Sequence, residues 1–357
     1  MTDRLRVALD ITARTAGMTG VARYAEQLER ALIVAGVEVR RFCIGRAPQT
    51  IPASTRRFPL PLRLIHPLQS IVRMPRVEWI APRADVIHTL DLIAPPTRRP
   101  TVITVHDLAA IEHPELHPRR MVTTQQAVLA SLKNSSVVVV NSEATARELA
   151  RHGVSEQRVV VTPLGLTPLP EVEPARLPGA ARYVLCVGAL AYRKGQADLL
   201  KAWAGPTIPG DAALVLVGPD GYGAAEIRAL AGLLGLGSRV RFESEVSEER
   251  LSALYRGAAA VCIPSRAEGF GLPVLEAMAL GVPVIASDLE AIREVAGDIA
   301  TLVPAGDHTA LAAELGRVLT GEGVDGRVAA GKARAAGWTW ERCAALTIKA
   351  YELAIGG

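Results

Sequence analysis

The sequence predicts an α/β fold with two parallel-sheet domains, and three observations predict it. Short apolar runs that end in glycine, proline or polar residues alternate with helical patterns along the chain. Aromatic residues make up only 4% of the chain and hydrophobic residues 49%, which suits repeated strand and helix units better than a β-sandwich. The length of 357 residues is enough for two domains of ordinary size.

The first predicted strand is Leu5–Asp10, and a loop ending at Gly20 leads from it into a helix. This order of elements also occurs in dinucleotide-binding folds. The pattern G-x-G-x-x-G is absent, however, and the loop is longer than that motif allows, so we do not expect a nicotinamide site. One face of the helix is predicted to carry Val21, Tyr24, Leu28 and Leu32.

Residues 46–80 form the least regular stretch and are rich in proline and arginine. Apolar and basic residues interleave there, as in a segment that lies on anionic lipid. Alternatively, a helix in this stretch packs its apolar face into the N-terminal domain.

The formal net charge of the chain is +4. This charge suits the binding of anionic small molecules, contact with an anionic membrane surface or solubility alone. It is too small and too dispersed to indicate nucleic-acid binding.

Two further buried strands are predicted at Asp85–His88 and Thr101–Asp107, each ending in polar residues. Ligands of open α/β sheets bind beyond the carboxyl ends of the strands. His106 therefore lies where chemistry is expected, although a single histidine at a strand end is more often structural. Strands at Ser136–Ser142 and Val159–Gly165 complete the first domain.

A proline-rich linker, residues 167–182, is predicted to join the domains. The second domain opens with a strand that ends at Gly188 and a helix that starts at Gln196. Arg193 and Lys194 stand just before this helix, where cations oppose the positive end of its dipole. An anion bound between the two cations would relieve that conflict.

The most informative stretch, Pro264–Gly281, reads P-S-R-A-E-G-F-G-L-P-V-L-E-A-M-A-L-G. It follows an apolar run typical of a buried strand. Pro273 suits the first position of a helix, and Gly281 suits its end. Gly269 and Gly271 allow the loop backbone to approach a ligand, while the helix start directs free N–H groups at it. The pattern predicts an anion site.

Two glutamates flank this helix start: Glu268 lies in the loop, and Glu276 is expected within the first turn. Negative side chains there stabilise a helix dipole, so helix-end electrostatics alone would explain both. A sugar nucleotide would use both features, because its diphosphate fits the amides and its hydroxyls fit the carboxylates.

The stretch resembles the E-x7-E signature of the retaining glycosyltransferases of family 4, and it matches E-G-F-G-L-P-x-L-E-A-M-A without a gap. The resemblance implies the GT-B architecture, in which two Rossmann-like domains face each other across a cleft. It also implies that Glu268 contacts hydroxyls of the donor sugar and that Glu276 holds the nucleotide ribose. The backbone amides facing the sugar and diphosphate would be those of Gly269, Phe270, Gly271 and Leu272.

The resemblance covers nearly the whole chain and implies further site residues. Gly20 matches the family's first loop, and His106 matches a position near the donor sugar and diphosphate. Gly188 opens a valine-glycine pattern in which Arg193 and Lys194 would bind the donor phosphates. The loop at Val246 would hold the base, mostly through its backbone.

By this resemblance, residues 1–166 form the acceptor-side domain and residues 183–337 the nucleotide-sugar-binding domain. Residues 338–357 form a helix that crosses back to the first domain. The expected function is metal-independent, retaining transfer of a hexose without a cofactor. GDP-mannose is the first expected donor and a UDP-hexose the second. The acceptor would be a hydroxyl of a glycan, a lipid-linked molecule or a small molecule.

Two other functions stay open on the same architecture: a sugar-nucleotide epimerase and a catalytically inactive sugar-nucleotide-binding subunit. The four cysteines show no metal or disulfide spacing, which predicts buried thiols in a reducing cytoplasm. The start of the chain carries no apolar signal segment, and no apolar run approaches bilayer-spanning length. We therefore expect a cytoplasmic protein, with peripheral contact at the inner face of the membrane as an open alternative.

Overall fold

The computed structural model describes residues 4–16, 20–44, 51–58, 76–90, 96–132, 137–322 and 327–357. Contacts divide the chain into two units. The first unit comprises Met1–Leu108, Thr123–Gly165 and Thr339–Gly357, and the second comprises Ala109–Val122 and Leu166–Trp338. The segment Ala109–Val122, which contains a short helix, a 3-10 turn and the start of a longer helix, groups with the second unit, as do the predicted linker, Leu166 and Trp338.

The first unit is built on a sheet of seven parallel strands in the order β3-β2-β1-β4-β5-β6-β7. Apolar side chains fill its central strands, which are buried along almost their whole length. The α/β prediction with parallel sheets is confirmed here. The strands are β1 (Arg6–Asp10), β2 (Glu38–Ile44), β3 (Arg56–Phe58), β4 (Val86–Thr89), β5 (Thr101–Val105), β6 (Val137–Val140) and β7 (Val159–Val161).

Strands β2 and β3 have no counterpart in the sequence-based prediction. Charged residues interrupt the apolar pattern by which the other strands were recognised. Strand β2 is only half-buried over its first four residues, and β3 exposes both of its arginines. Arg40 pairs with Glu38 of the same strand at 2.7 Å, and Arg41, on the opposite face of the strand, pairs with the buried Glu29. Strands near a sheet edge tolerate such charges, which protect the edge against further pairing.

The second unit contains a sheet of six parallel strands in the order β10-β9-β8-β11-β12-β13. The chain runs from β8 outward to β10 and then returns to place β11 on the other side of β8. Ligands of such sheets bind at this switch point, beyond the carboxyl ends of the two central strands. The strands are β8 (Arg182–Val187), β9 (Ala212–Val217), β10 (Val240–Glu243), β11 (Ala260–Ile263), β12 (Val284–Ser287) and β13 (Thr301–Val303).

Helices cover both sheets. The predicted inner face of the first helix is confirmed for Tyr24, Leu28 and Leu32, which are buried. The described α-helices are α1 (Gly20–Val34), α2 (Ala109–Glu112), α3 (Arg119–Leu132), α4 (Glu143–Arg151), α5 (Gln196–Trp203), α6 (Ala224–Leu233), α7 (Glu248–Gly257), α8 (Leu272–Leu280), α9 (Glu290–Ala296), α10 (His308–Thr320), α11 (Arg327–Ala335) and α12 (Trp340–Gly356).

The last helix, α12, packs on the first unit and takes part in a buried chain of polar groups there. The ring of His88 in β4 hydrogen-bonds the hydroxyl of Tyr351 in α12 and that of Thr104 in β5, both at 2.8 Å. Burial, with a smaller effect of neighbouring His106, lowers the pKa of His88 to about 3. His88 is therefore neutral near neutral pH and serves as a structural hydrogen-bonding group.

All four cysteines are buried and free, as the sequence predicted. Within the described ranges, no helix is both long and apolar enough to cross a membrane. Of the irregular stretch 46–80, the structure describes 51–58 and 76–80; the remainder of that prediction, like the loop at residues 17–19, lies outside the described residues.

Candidate active site

The candidate site lies at the switch point of the second sheet. Strand β11 pairs with β8, with Ala260 opposite Val184. The loops that follow the two strands therefore leave the sheet side by side. They touch directly, because the backbone N–H of Arg266 donates to the carbonyl of Arg193 at 2.8 Å.

The loop after β8 forms a 3-10 turn, Tyr192–Lys194, which ends at Gly195 in a left-handed conformation with φ 67°. A Cβ atom at Gly195 would lie 1.9 Å from the carbonyl oxygen of Pro264. Glycine is thus required twice, by the backbone angle and by the close approach of the second loop. Helix α5 then begins at Gln196, as predicted.

The two loops place a lysine against a carboxylate. The Nζ atom of Lys194 lies 2.6 Å from Oε2 of Glu268, and the two side chains are only 14% and 10% exposed. Burial raises the pKa of Glu268, but the positive charges of Lys194 and Arg193 and the hydrogen bond from Lys194 outweigh it, so the pKa lies below its usual value. Glu268 is ionised at neutral pH.

This pair changes the expectation for the two cations before α5. The sequence predicted that an anion bound between them would relieve their conflict with the helix dipole. Glu268 already supplies one negative charge, because the loop after β11 carries it to the same place. Gly188, the first residue after β8, lies beside the stem of Lys194, since a Cβ atom added at Gly188 would be 3.7 Å from the Cε atom of that lysine.

The glycine loop leads into α8 as the sequence indicated. Gly271 precedes the helix with φ 99°, and Gly281 ends it with φ 74°. The ring of Phe270 packs edge-on against Trp338 with the centroids 5.3 Å apart, so that side chain is part of the core of this unit. What the segment from Gly269 to Leu272 can offer a ligand is therefore mainly backbone.

One expectation about this helix is wrong. Glu276 is not in the first turn of α8, which carries no acidic residue, because the helix starts at Leu272 and Glu276 is its fifth residue. Its carboxylate is buried at 5% exposure and accepts a hydrogen bond of 2.8 Å from the hydroxyl of Tyr255 in α7. The carboxylate of Glu276 is thus held by Tyr255, a residue of another helix.

His106 lies directly after β5 in the first unit. Its Nε2 is 2.9 Å from the carbonyl oxygen of Leu90, and its Nδ1 is 2.9 Å from Nδ2 of Asn141. A carbonyl can only accept and an amide nitrogen can only donate, so these contacts fit a neutral ring protonated on Nε2. The ring also packs edge-on against Tyr24 at 5.0 Å.

Gly20 and Val246 are the remaining predicted site residues. Gly20 is the first residue of α1, and an added Cβ would meet no atom within 4 Å. The chain itself therefore does not require glycine there. Val246 is half-buried in the loop between β10 and α7, and the following residue, Ser247, caps α7 by accepting a hydrogen bond from the N–H of Arg250.

Sequence reasoning missed three residues that hold the site residues in place: Arg266, Tyr255 and Asn141. Arg266 forms a two-pronged ion pair with Asp198, at 2.8 and 2.9 Å. Because Arg266 lies only two residues before Glu268, the sequence could have indicated that it belongs to the site. Tyr255 and Asn141 lie far along the chain from the groups they bind, and nothing in their local sequence indicates those contacts.

Two family models match the chain. The model described as Glycosyltransferase Family 4 matches residues 18–168, and the model described as Glycosyl transferases group 1 matches residues 171–335. The chain belongs to the family 4-like group 1 glycosyltransferases. The resemblance seen in the motif from Glu268 to Glu276 is confirmed.

Relatives and solved structures agree with this membership. The chain is 29% identical to the O-antigen chain mannosyltransferase B of Escherichia coli, over 94% of this chain and 96% of that protein. It superposes on the sucrose-phosphate synthase of Thermosynechococcus elongatus with a TM-score of 0.77 and 25% identity, covering 98% of both chains.

A further solved structure, Anabaena HepE in complex with UDP-glucose, matches with a TM-score of 0.73 and 19% identity, covering 97% of this chain and 100% of that one. At 19% identity, this similarity shows the fold alone. The GT-B prediction, with two Rossmann-like parallel-sheet domains, is confirmed by these neighbours together with the two sheets.

Proposed function

We propose that this glycosyltransferase transfers a hexose from a nucleoside-diphosphate sugar to an acceptor hydroxyl with retention of configuration. The observation that carries the proposal is the buried Lys194–Glu268 pair, with Arg193 beside it, at the switch point of the second sheet. Such a site offers cations to a diphosphate and an ionised carboxylate to sugar hydroxyls within a few ångströms.

In the proposed reaction the bond between the sugar anomeric carbon and the diphosphate breaks, and a bond from that carbon to the acceptor oxygen forms on the same face. The acceptor proton passes to an oxygen of the departing diphosphate. Arg193, Lys194 and the backbone around Gly271 stabilise the negative charge that develops on this leaving group. Glu268 holds hydroxyls of the sugar, and Glu276 holds the ribose.

We assign His106 a structural role in the first unit rather than a role in moving a proton. Both ring nitrogens already have partners in the chain, Leu90 and Asn141. A proton transfer through this ring would break one of those contacts. The mechanism above needs no separate base, because the diphosphate accepts the proton.

The proposed site also works without a divalent metal, since two cations and a helix start face the diphosphate. Turnover measured in excess EDTA tests this proposal. We expect full activity; loss of activity that magnesium or manganese restores would contradict the proposed site.

For the donor we propose GDP-mannose first and a UDP-hexose second. The similarity to the E. coli mannosyltransferase over nearly the whole chain supports mannose, while HepE, which binds UDP-glucose, supports the second choice. The base of the nucleotide would bind at the loop that contains Val246. Because the loop would contact the base mostly through its backbone, the side chains of the loop do not indicate which base is bound. The acceptor is proposed to be a hydroxyl of a glycan, a lipid-linked molecule or a small molecule.

Titration calorimetry with GDP, UDP, ADP and dTDP tests the donor proposal. Tighter binding of GDP is expected, and UDP binding at least tenfold tighter than GDP, about 1.4 kcal/mol, would exclude guanine. Incubating the donor sugar without an acceptor then separates transfer from epimerisation. A changed sugar in that reaction would contradict the proposed transfer, and binding of donor without turnover on any acceptor would indicate an inactive subunit.

Peripheral contact with an anionic membrane is a further part of the proposal. Trp79 is 60% exposed at the end of a 3-10 turn, with Arg76 and Arg83 close by in the chain. Exposed tryptophan beside arginine suits the headgroup region of anionic lipid. Sedimentation with vesicles of anionic and of neutral lipid tests it: Trp79→Ala should reduce binding to the anionic vesicles, and equal binding of both vesicle types would refute it.

A further inference from the structure

We propose that Arg266 is a positioning residue: through its ion pair with Asp198 it fixes the turn that presents Arg193 and Lys194 to the departing diphosphate. The inference rests on the proposed function, because it assigns the geometry of that same site. It adds a residue pair to which the motif from Glu268 to Glu276 assigns no part.

The side chain of Arg266 is anchored on helix α5. Its Nε and Nη2 atoms donate to the two carboxylate oxygens of Asp198 at 2.8 and 2.9 Å. The carboxylate is only 5% exposed, so solvent screens the pair less than it would on the surface. Asp198 in turn sits in the first turn of α5, where its own N–H donates to the carbonyl of Gly195 at 3.0 Å.

The backbone of Arg266 is anchored on the neighbouring turn. Its N–H donates to the carbonyl of Arg193 at 2.8 Å. One residue thus holds the turn at two points, at Arg193 through its backbone and at the start of α5 through its side chain. Lys194 lies between these points and meets Glu268, two residues after Arg266. Contacts within the chain therefore fix the positions of the cations and the carboxylate relative to one another.

The alternative role for Arg266 is to bind the donor phosphate directly, as a third cation beside Arg193 and Lys194. Its side chain is 43% exposed, so a ligand could reach it. The planar guanidinium, however, already makes its two-pronged contact with a carboxylate, which is the geometry that would otherwise serve a phosphate. The hydrogen bonds to Asp198 also raise the pKa of Arg266, which fits a tightly held pair.

The two roles predict different results for Asp198→Asn and Arg266→Gln. If Arg266 positions the turn, both substitutions lower kcat by about tenfold or more and change the donor KM less than about threefold, since fixed donors act mainly on the charge that develops during reaction. The double variant should be no worse than the poorer single variant, because both remove the same pair. Arg266→Lys should recover part of the lost kcat.

If Arg266 binds phosphate, the two substitutions act in opposite directions. Asp198→Asn would then release the guanidinium and tighten the binding of free nucleoside diphosphate, while Arg266→Gln would weaken it. Opposite shifts of Kd by calorimetry would overturn the proposal. Should Arg266→Gln fail to fold, Asp198→Asn and Arg266→Lys carry the same test.

Hydrogen exchange of the ligand-free protein gives a readout that does not depend on the reaction. Peptides covering the turn after β8 and the loop after β11 should exchange faster in Asp198→Asn and Arg266→Gln than in the wild type. Arg6→Gln is the matched control, since Arg6 forms a similar two-pronged pair with Asp85 in the first unit, at 2.8 and 3.1 Å. It should change neither the exchange of these peptides nor kcat.

The outcomes separate the inference from the function it rests on. Faster exchange with unchanged kcat would overturn the positioning role and leave a purely structural pair. Unchanged exchange in both variants would overturn it as well. A wild-type protein that neither binds nucleoside diphosphates nor transfers sugar would remove the proposed function, and the inference with it.

Discussion

In the proposed site, Glu268 and a bound diphosphate would compete for the ammonium group of Lys194, which makes Glu268→Gln an informative change. The Nζ atom of Lys194 lies 2.6 Å from the carboxylate of Glu268, and both side chains are nearly buried. Glutamine keeps the size and one acceptor oxygen but removes the charge. We therefore expect Glu268→Gln to bind free nucleoside diphosphate more tightly than the wild type, while sugar transfer falls.

The magnitude follows from the geometry of the pair. Two opposite unit charges roughly 3–4 Å apart attract each other by about 4–6 kcal/mol at an effective dielectric of about 20. A diphosphate that takes Lys194 must replace this attraction. Much of the gain in the variant is lost, because the amide still accepts a hydrogen bond and water solvates the released ammonium. We expect a net gain of roughly 1.4–3 kcal/mol, which is about 10- to 150-fold in Kd.

Calorimetric titration of GDP and UDP at about pH 7.5 and two salt concentrations measures this gain. Glu314→Gln is the matched control, because it removes the same charge from an exposed pair with Arg317 on α10. It should leave Kd within about twofold, since exposed pairs contribute little. Unchanged or weaker binding in Glu268→Gln would refute the competition between Glu268 and the diphosphate for Lys194.

Three further changes test other parts of the structure. Gly195→Ala places a Cβ 1.9 Å from the Pro264 carbonyl oxygen and should lower the free energy of unfolding by at least about 2 kcal/mol in urea titrations. Tyr255→Phe removes the hydrogen bond to Glu276 and should weaken nucleoside-diphosphate binding by about tenfold in calorimetry, with binding equal to wild type as the contrary result. The pKa of His88 falls from 6.5 to about 3 on folding, so this histidine takes up a proton near pH 6 only in the unfolded chain. The free energy of unfolding should therefore drop by about 1.4 kcal/mol between pH 7.5 and pH 5.5. The variant His88→Gln should lose this part of the pH dependence.

Local signals in the sequence were enough for the parts of the fold that form locally. The helix start after Gly271 and its end at Gly281 agree with the structure because glycine there satisfies a backbone angle that other residues rarely adopt. Ser142 and Ser247 cap their helices for an equally local reason, a side-chain oxygen close to free N–H groups. Apolar runs identified the central strands, since these are buried on both faces.

Contacts between distant parts of the chain were not predictable in the same way. Glu276 was expected to act on the helix start, but Tyr255, a residue of another helix, holds its carboxylate. Strand β2 was missed because it carries charged residues on both faces: Arg40 pairs with Glu38 of the same strand, whereas Arg41 pairs with Glu29 of α1, a partner that only the fold supplies. The pairing of Lys194 with Glu268 depends on β11 returning beside β8, and that neighbour relation is a property of the topology rather than of either loop.

The three cations at the switch point, Arg193, Lys194 and Arg266, differ in their ion pairs, and we therefore expect them to have different roles. Arg266 is tied to Asp198 and Lys194 to Glu268, whereas the side chain of Arg193 has no ion pair among the residues that the structure describes. In the proposed reaction, an arriving diphosphate would contact Arg193 without breaking an ion pair between described residues, and it would take Lys194 only in exchange with Glu268. We expect binding to follow this order, so that removing Arg193 weakens capture of the diphosphate most strongly, while removing Lys194 acts mainly on the reaction that follows.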